Sequence, residues 1–258
     1  MPDYDSDSQY DLFRYYSQVL AELSGIEHCF FGKPKHVTDE YELTPQTYLS
    51  SSFSMSAKNV IMLRQVHSTN VVTILNQSSA DIGTEEADAI VSNVPGLLLC
   101  VRTGDCAPVL FYDAYAKVIG VAHAGWKGAI NGILTNTIYA MEKIGAQRTN
   151  TVCAVGPCIQ QASYEVDQTF YEEFISRNPA HEQFFTNSLA KPNHYMFDLP
   201  NFCTTQLLCV NVKNVDNLGV DTYTNVEQLH SFRRATHQML NDKAKALRQF
   251  SCIRLRHE

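Results

Sequence analysis

Three short segments carry residues whose types could do chemistry. They are Gln65-Val66-His67-Ser68, Arg102-Thr103-Gly104-Asp105-Cys106-Ala107-Pro108 and His123-Ala124-Gly125-Trp126-Lys127-Gly128. His67, Cys106 and His123 together offer two imidazoles and one thiolate. That is a three-ligand set for Zn²⁺, with a fourth position left for water or substrate. A metal in such a site lowers the pKa of bound water to about 7. The same residues also allow a metal-free reading, with Cys106 as nucleophile and His67 or His123 as its base. The structural alternative is strong for each residue alone. A single histidine at a strand end is commonly a hydrogen-bonded scaffold residue, and a single buried cysteine is commonly inert. The gaps of 38 and 16 intervening residues form no compact zinc motif.

Other residues near these segments invite roles. Asp105, beside Cys106, is a candidate proton shuttle or a residue that orients a ligand. Gly125 and Gly128 flank Trp126 and Lys127 where a strand turns into a helix. That start either receives an anion or is a tight turn with Trp126 as a packing anchor. Cys158, after Gly156-Pro157, is a possible thiol nucleophile with inert packing as the default. Arg233 and Arg234 form a small basic cluster, either a solvated helix face or a phosphate contact.

The elements that must position these residues are short and mixed. Apolar and β-branched runs predict strands over 60–66, 71–75, 87–91, 97–103, 109–112, 118–122, 151–155, 215–220 and 250–255. Several are continuous apolar runs, as expected of strands covered on both faces. Helical spacing predicts helices over 12–23, 127–144, 167–175 and 199–210. Strand runs and segregated helices together predict an α+β fold: one domain over residues 1–258, with residues 1–9 as a frayed acidic tail.

Composition narrows the function classes. The 258 residues include 20 Lys plus Arg against 27 Asp plus Glu, a formal charge of −7. An acidic chain is a poor nucleic-acid binder, because phosphate neutralisation needs basic surface. A local basic site for a small phosphate is compatible with it. No apolar run approaches the ~18 residues of a membrane helix, and the start lacks a secretory pattern, so the cytoplasm is the expected location. The eight cysteines include no C-x-x-C pair, so a secreted disulfide framework is not expected.

Read together, the three segments resemble the bacterial YfiH-like family, also called the polyphenol oxidase or laccase-domain family. Its members carry Q-V-H, T-A-D-C-x-P and H-A-G-W-R-G segments in this order. Ala87-Asp88-Ala89-Ile90-Val91, Gly156-Pro157-Cys158-Ile159, Tyr164-Glu165-Val166 and Ser231-Phe232-Arg233-Arg234 match further family runs. The likeness covers about residues 28 to 258. It implies a layered α+β sandwich of mixed β-sheet with flanking helices. It implies zinc on His67, Cys106 and His123. Asp105 beside them is a candidate for the catalytic group, and Lys127, Arg233 and Gln65 are candidate substrate contacts. The implied partners are a purine nucleoside and phosphate. The implied reactions are phosphorolysis of adenosine, inosine and methylthioadenosine, and deamination of adenosine. Amide hydrolysis of cell-wall precursors is the alternative attached to some members. A copper phenol oxidase is the other alternative. The residues argue against a multicopper centre, since nine histidines include no H-x-H segment; a single Cu²⁺ on the same three ligands stays open. Gly104 and Lys127 depart from the family's alanine and arginine. The segment Phe31-Gly32-Lys33-Pro34-Lys35-His36-Val37 lacks the family's arginine and paired glycines.

Overall fold

The computed structural model describes residues 12–35, 44–76 and 85–257. In chain order its first half comprises β1 (Leu12–Tyr15), α1 (Gln18–Ala21), β2 (Ile26–Pro34), α2 (Pro45–Ser52), β3 (Val60–Ile61), β4 (Val71–Ile74), β5 (Ala89–Ser92), β6 (Leu98–Thr103), β7 (Ala107–Asp113) and β8 (Val118–Ala124). There follow α3 (Trp126–Ile130), α4 (Ile133–Lys143), β9 (Thr151–Val155), β10 (Glu165–Asp167), α5 (Gln168–Arg177), β11 (Phe185–Asn187), β12 (His194–Phe197), α6 (Leu199–Cys209), β13 (Asn214–Asn217), α7 (Phe232–His237), α8 (Asp242–Lys245) and β14 (Gln249–Leu255). The proposed tail of residues 1–9, and His36 and Val37, lie outside the described residues.

Period-two alternation builds the layers, because successive side chains on a strand leave opposite faces. A six-stranded sheet runs β13-β9-β7-β8-β5-β4 and a five-stranded sheet runs β1-β2-β14-β6-β3. Leu110, Tyr112, Ile119, Val121 and Ile90 of the first meet Phe30, Leu99, Val101, Ile253 and Leu255 of the second. The opposite face of the six-stranded sheet, with Val109, Phe111, Ala122 and Val155, packs on α4 and α6 through Ile133, Leu134, Ile138, Met141, Phe202 and Leu207. The opposite face of the five-stranded sheet is covered through Leu49 of α2 and Phe53. Each large apolar side chain removed from water stabilises by about 1.5–3 kcal/mol, so these layers dominate the stability. The result is the expected α+β layered sandwich, with parallel and antiparallel pairs in both large sheets. No described helix is long and apolar enough to cross a membrane.

Several expected elements differ. The helical spacing over 12–23 resolves into β1, paired antiparallel with β2, and the single turn α1. The expected strand over 60–66 stops at Ile61, and Arg64 makes only an isolated bridge to Glu86. The expected helix over 127–144 breaks at Gly132, whose φ of 94° is left-handed and ends α3 before α4 begins. The expected strand over 215–220 is the shorter β13.

β2 buries a histidine. His28 is 7% exposed, and its Nε2 accepts the Ser17 N–H at 3.0 Å. Burial holds its pKa down at about 4, against upward pulls from Ser17 and Asp216. The neutral ring is therefore the native form. In the unfolded chain a histidine protonates near pH 6.5. Stability from this site is complete above that pH and is lost as pH falls towards about 4. By pH 5 the expected loss is on the order of 2 kcal/mol. Half-buried His230, also held at about 4, acts in the same direction. Urea unfolding at pH 7 and pH 5 checks this; equal unfolding free energies at the two pH values would contradict it.

Candidate metal centre

The site lies at the ends of strands in the six-stranded sheet. β8 carries His123 one residue before its end, and Cys106 immediately precedes β7. The two strands are neighbours, with Pro108 opposite His123, so the thiol and the imidazole share one end of the sheet. His67 comes from a loop rather than from a strand end, with a left-handed φ of 59°. Backbone strain of that kind persists only where surrounding bonds over-determine it.

Asp88 supplies those bonds. Its carboxylate accepts the backbone N–H groups of Val66 at 3.3 Å, His67 at 3.1 Å and Ser68 at 2.5 Å, and the Ser68 hydroxyl at 2.7 Å. The same carboxylate meets His123 Nδ1 at 2.8 Å. One buried acid thus fixes the loop of one histidine and the ring of the other. Pairing Nδ1 with Asp88 leaves His123 Nε2 to face the site. Burial pushes the Asp88 carboxyl up, but the bonds from His123 and Ser68 outweigh it and hold it at about 2. Burial pushes His123 down, yet the Cys106 thiol and Asp88 raise it to about 9. His67 is lowered by burial and by the charge of His123.

The donor atoms of His67, Cys106 and His123 all lie within 4.8 Å of one another. One ion with bonds of about 2.0–2.3 Å to nitrogen and sulfur spans such a set. Among the described residues this is the group of three or more such side chains that could hold a metal. His67 is exposed, Cys106 half-buried and His123 buried, so the group opens to solvent on one side. Gly125 forms its floor. A Cβ there would sit 2.6 Å from His67 Nδ1 and 3.0 Å from Cys106 Sγ. The donor chemistry and this close-fitting cradle suit a zinc-like ion. Gly125→Ala is therefore expected to lower metal affinity by about tenfold or more, the scale of a displaced supporting group. Competition with a chromophoric chelator measures it; unchanged affinity would mean that the glycine matters only to the turn.

The other sequence candidates fall into place around this group. Gln65 zips onto the backbone of Arg102, donating to its carbonyl at 2.8 Å and accepting its N–H at 2.9 Å. Asp105, with a left-handed φ of 93°, accepts the Thr222 hydroxyl at 2.6 Å on one oxygen and the Arg233 N–H at 2.6 Å on the other. Lys127 is exposed, with its ammonium 5.5 Å from the Trp126 ring. Trp126 packs on Phe170 at 4.8 Å between centroids. Arg233 stacks on Tyr164 at 5.2 Å and donates to the Glu165 carbonyl at 2.7 Å. Arg234 is buried and donates to the carbonyls of Thr222, Tyr223 and Leu229, which makes it a structural clamp. Cys158 is fully buried, and burial raises its thiol well above the ordinary range.

Two contributors escape sequence reading. Asp88 lay in plain view inside a buried run, and a carboxylate there must be paired. Arg248 had no motif. It packs on Gly104, where a Cβ would lie 3.0 Å from its Cδ, and its charge acts on Cys106, Asp105 and His67.

A family described as "Multi-copper polyphenol oxidoreductase laccase" matches residues 33–253. The chain belongs to that family. A purine nucleoside phosphorylase of Rickettsia prowazekii is 41% identical over 90% of this chain and 94% of its own length. One from Rickettsia conorii is 36% identical over 86% and 90%. Among solved structures, a DUF152-family protein of Neisseria meningitidis superposes with a TM-score of 0.77 at 23% identity, covering 96% of this chain and all of that one. YfiH of Bacillus licheniformis gives 0.76 at 20% identity, covering 91% and 94%. These two establish the laccase-domain fold for the chain.

Proposed function

We propose that this laccase-domain protein catalyses metal-dependent phosphorolysis of purine nucleosides. The observation that carries the reading is a cationic rim on an acidic chain. Lys127 lies in the first turn of α3 just after His123, Arg248 packs on Gly104 two residues before Cys106, and the Arg233 N–H donates to Asp105. The Arg233 guanidinium sits over the Tyr164 ring. A phosphate dianion is the co-substrate such a rim favours. The names of the Rickettsia relatives support the same class.

In phosphorolysis a phosphate oxygen attacks the ribose anomeric carbon. The bond to the purine nitrogen breaks, its electron pair leaves with the base, and the base takes up a proton. Zn²⁺ held by His67, Cys106 and His123 would supply Lewis acidity at a position left open to substrate. Lys127 and Arg233 hold the phosphate, and Asp88 keeps His123 in its ligand tautomer. With both oxygens already bonded, Asp105 is a positioning residue that ties the Cys106 loop to the Thr222 and Arg233 segments.

Purified metal-loaded protein mixed with adenosine or inosine, with and without phosphate, tests the reading by chromatography. Free base that appears only with phosphate is the expected result. Inosine formed from adenosine without phosphate would make deamination the primary reaction. No product in either mixture would overturn the nucleoside reading and leave amide hydrolysis in its place.

A further inference from the structure

Three cysteines face one another across three neighbouring strands. In the register of the five-stranded sheet, Cys252 on β14 lies opposite Cys29 on β2 and opposite Cys100 on β6. All three belong to the apolar layer beneath α2, and none is more than 3% exposed. The proposed reaction uses none of them.

The ladder decides which pair is close. In an antiparallel sheet one residue's N–H and C=O point to the same neighbour, and the side alternates along the strand. The Arg256 N–H donates to Gly25, on the β2 side, at 2.9 Å. The Leu255 carbonyl accepts from Gly96, on the β6 side, at 3.0 Å. Counting back in steps of two, the backbone of Cys252 points to β2. Cys252 and Cys29 are thus a hydrogen-bonded pair. Cys252 and Cys100 are a non-hydrogen-bonded pair, the class with Cα atoms about 4.5 Å apart and side chains closer together. That spacing falls inside the range of about 4.4–6.8 Å that a disulfide spans. The contacts agree: the Cys252 thiol meets Cys100 side chain to side chain.

We propose that Cys100 and Cys252 are a disulfide-forming dithiol, a modification site that cross-links β6 to β14 when hydrogen peroxide oxidises the protein. A cavity of about 250 Å³, walled in part by Arg14, Tyr16, Cys29 and Arg254, reaches the row at Cys29, the residue opposite Cys252. One thiol, deprotonated, attacks a peroxide oxygen. The O–O bond breaks, and a sulfenic acid and hydroxide form. The second sulfur attacks the sulfenic sulfur, the S–S bond forms and hydroxide leaves. The two thiol protons turn both hydroxides into water, so two thiols are oxidised and one peroxide is reduced. Burial raises the Cys252 thiol well above its ordinary range, so the thiolate is scarce and the reaction is slow. β6 continues into the segment that bears Cys106, and Gln249 of β14 lies opposite Thr103. The cross-link therefore secures the two strands that end at the metal centre.

The test is peptide mapping by mass spectrometry after hours in hydrogen peroxide, with thermal unfolding in parallel. The expected result is a dithiothreitol-reversible loss of two hydrogens that links the peptides of Cys100 and Cys252, with a melting temperature several degrees higher. Cys29→Ala should keep the link, and Cys100→Ala should lose it. A wild-type link between Cys29 and Cys252 would overturn the proposal. So would complete oxidation of exposed Cys209 with Cys100 and Cys252 still thiols. The wild-type map decides even if an alanine variant fails to fold.

Discussion

Asp88→Asn is expected to cost both metal affinity and stability. An asparagine offers one carbonyl where the carboxylate now accepts the N–H groups of Val66, His67 and Ser68, the Ser68 hydroxyl and the His123 ring. Its amide N–H₂ would face donors with no acceptor to meet. Loss of such a ligand-supporting carboxylate costs about 10–100-fold in metal affinity. Leaving buried donors unpaired costs about 1–3 kcal/mol of stability in addition. Chelator competition and urea unfolding measure the two effects separately. Wild-type affinity in the variant would show that Asp88 serves the fold and not the centre.

Cys106→Ala is expected to abolish metal binding and leave the fold intact. The thiol is the sulfur ligand of the group, and its removal leaves two imidazoles, a set too sparse for tight zinc binding. The side chain is half-buried and lies outside the three apolar clusters, so little packing is lost. Bound metal should fall from about one ion per chain to near zero, with an unchanged circular dichroism spectrum. Global unfolding of this variant would mean that the centre is part of what holds the strand ends together.

Much of this architecture is legible in the residues. β5, β7, β8 and β9 are continuous apolar runs, and the structure pairs them as neighbours in one sheet. What misleads is local periodicity where long-range pairing wins. Leu12, Phe13, Tyr16, Val19 and Leu20 fit a helix, yet β2 recruits the first four of residues 12–20 into an edge strand. β2 itself hides because Glu27 and His28 interrupt its apolar pattern. His28 can be buried there only because it stays neutral and hydrogen-bonded. The three proposed metal ligands stand out by motif, but their support does not. The roles of Asp88 and Arg248 depend on residues far along the chain, namely His67 and His123 for the first and Gly104 and Cys106 for the second. Gln65 shows the converse. It sits in the first motif as a substrate contact, and the fold uses both ends of its amide on Arg102.

The central claim is that a metal held by His67, Cys106 and His123 is required for nucleoside cleavage. The most direct measurement removes metal with a chelator, adds zinc back in steps, and follows phosphate-dependent release of base. Activity is expected to be lost on removal and to recover in proportion to bound zinc, saturating near one ion per chain. Full activity in chelated protein, abolished only by alkylating Cys106, would contradict it and make the centre a thiol nucleophile with histidine bases.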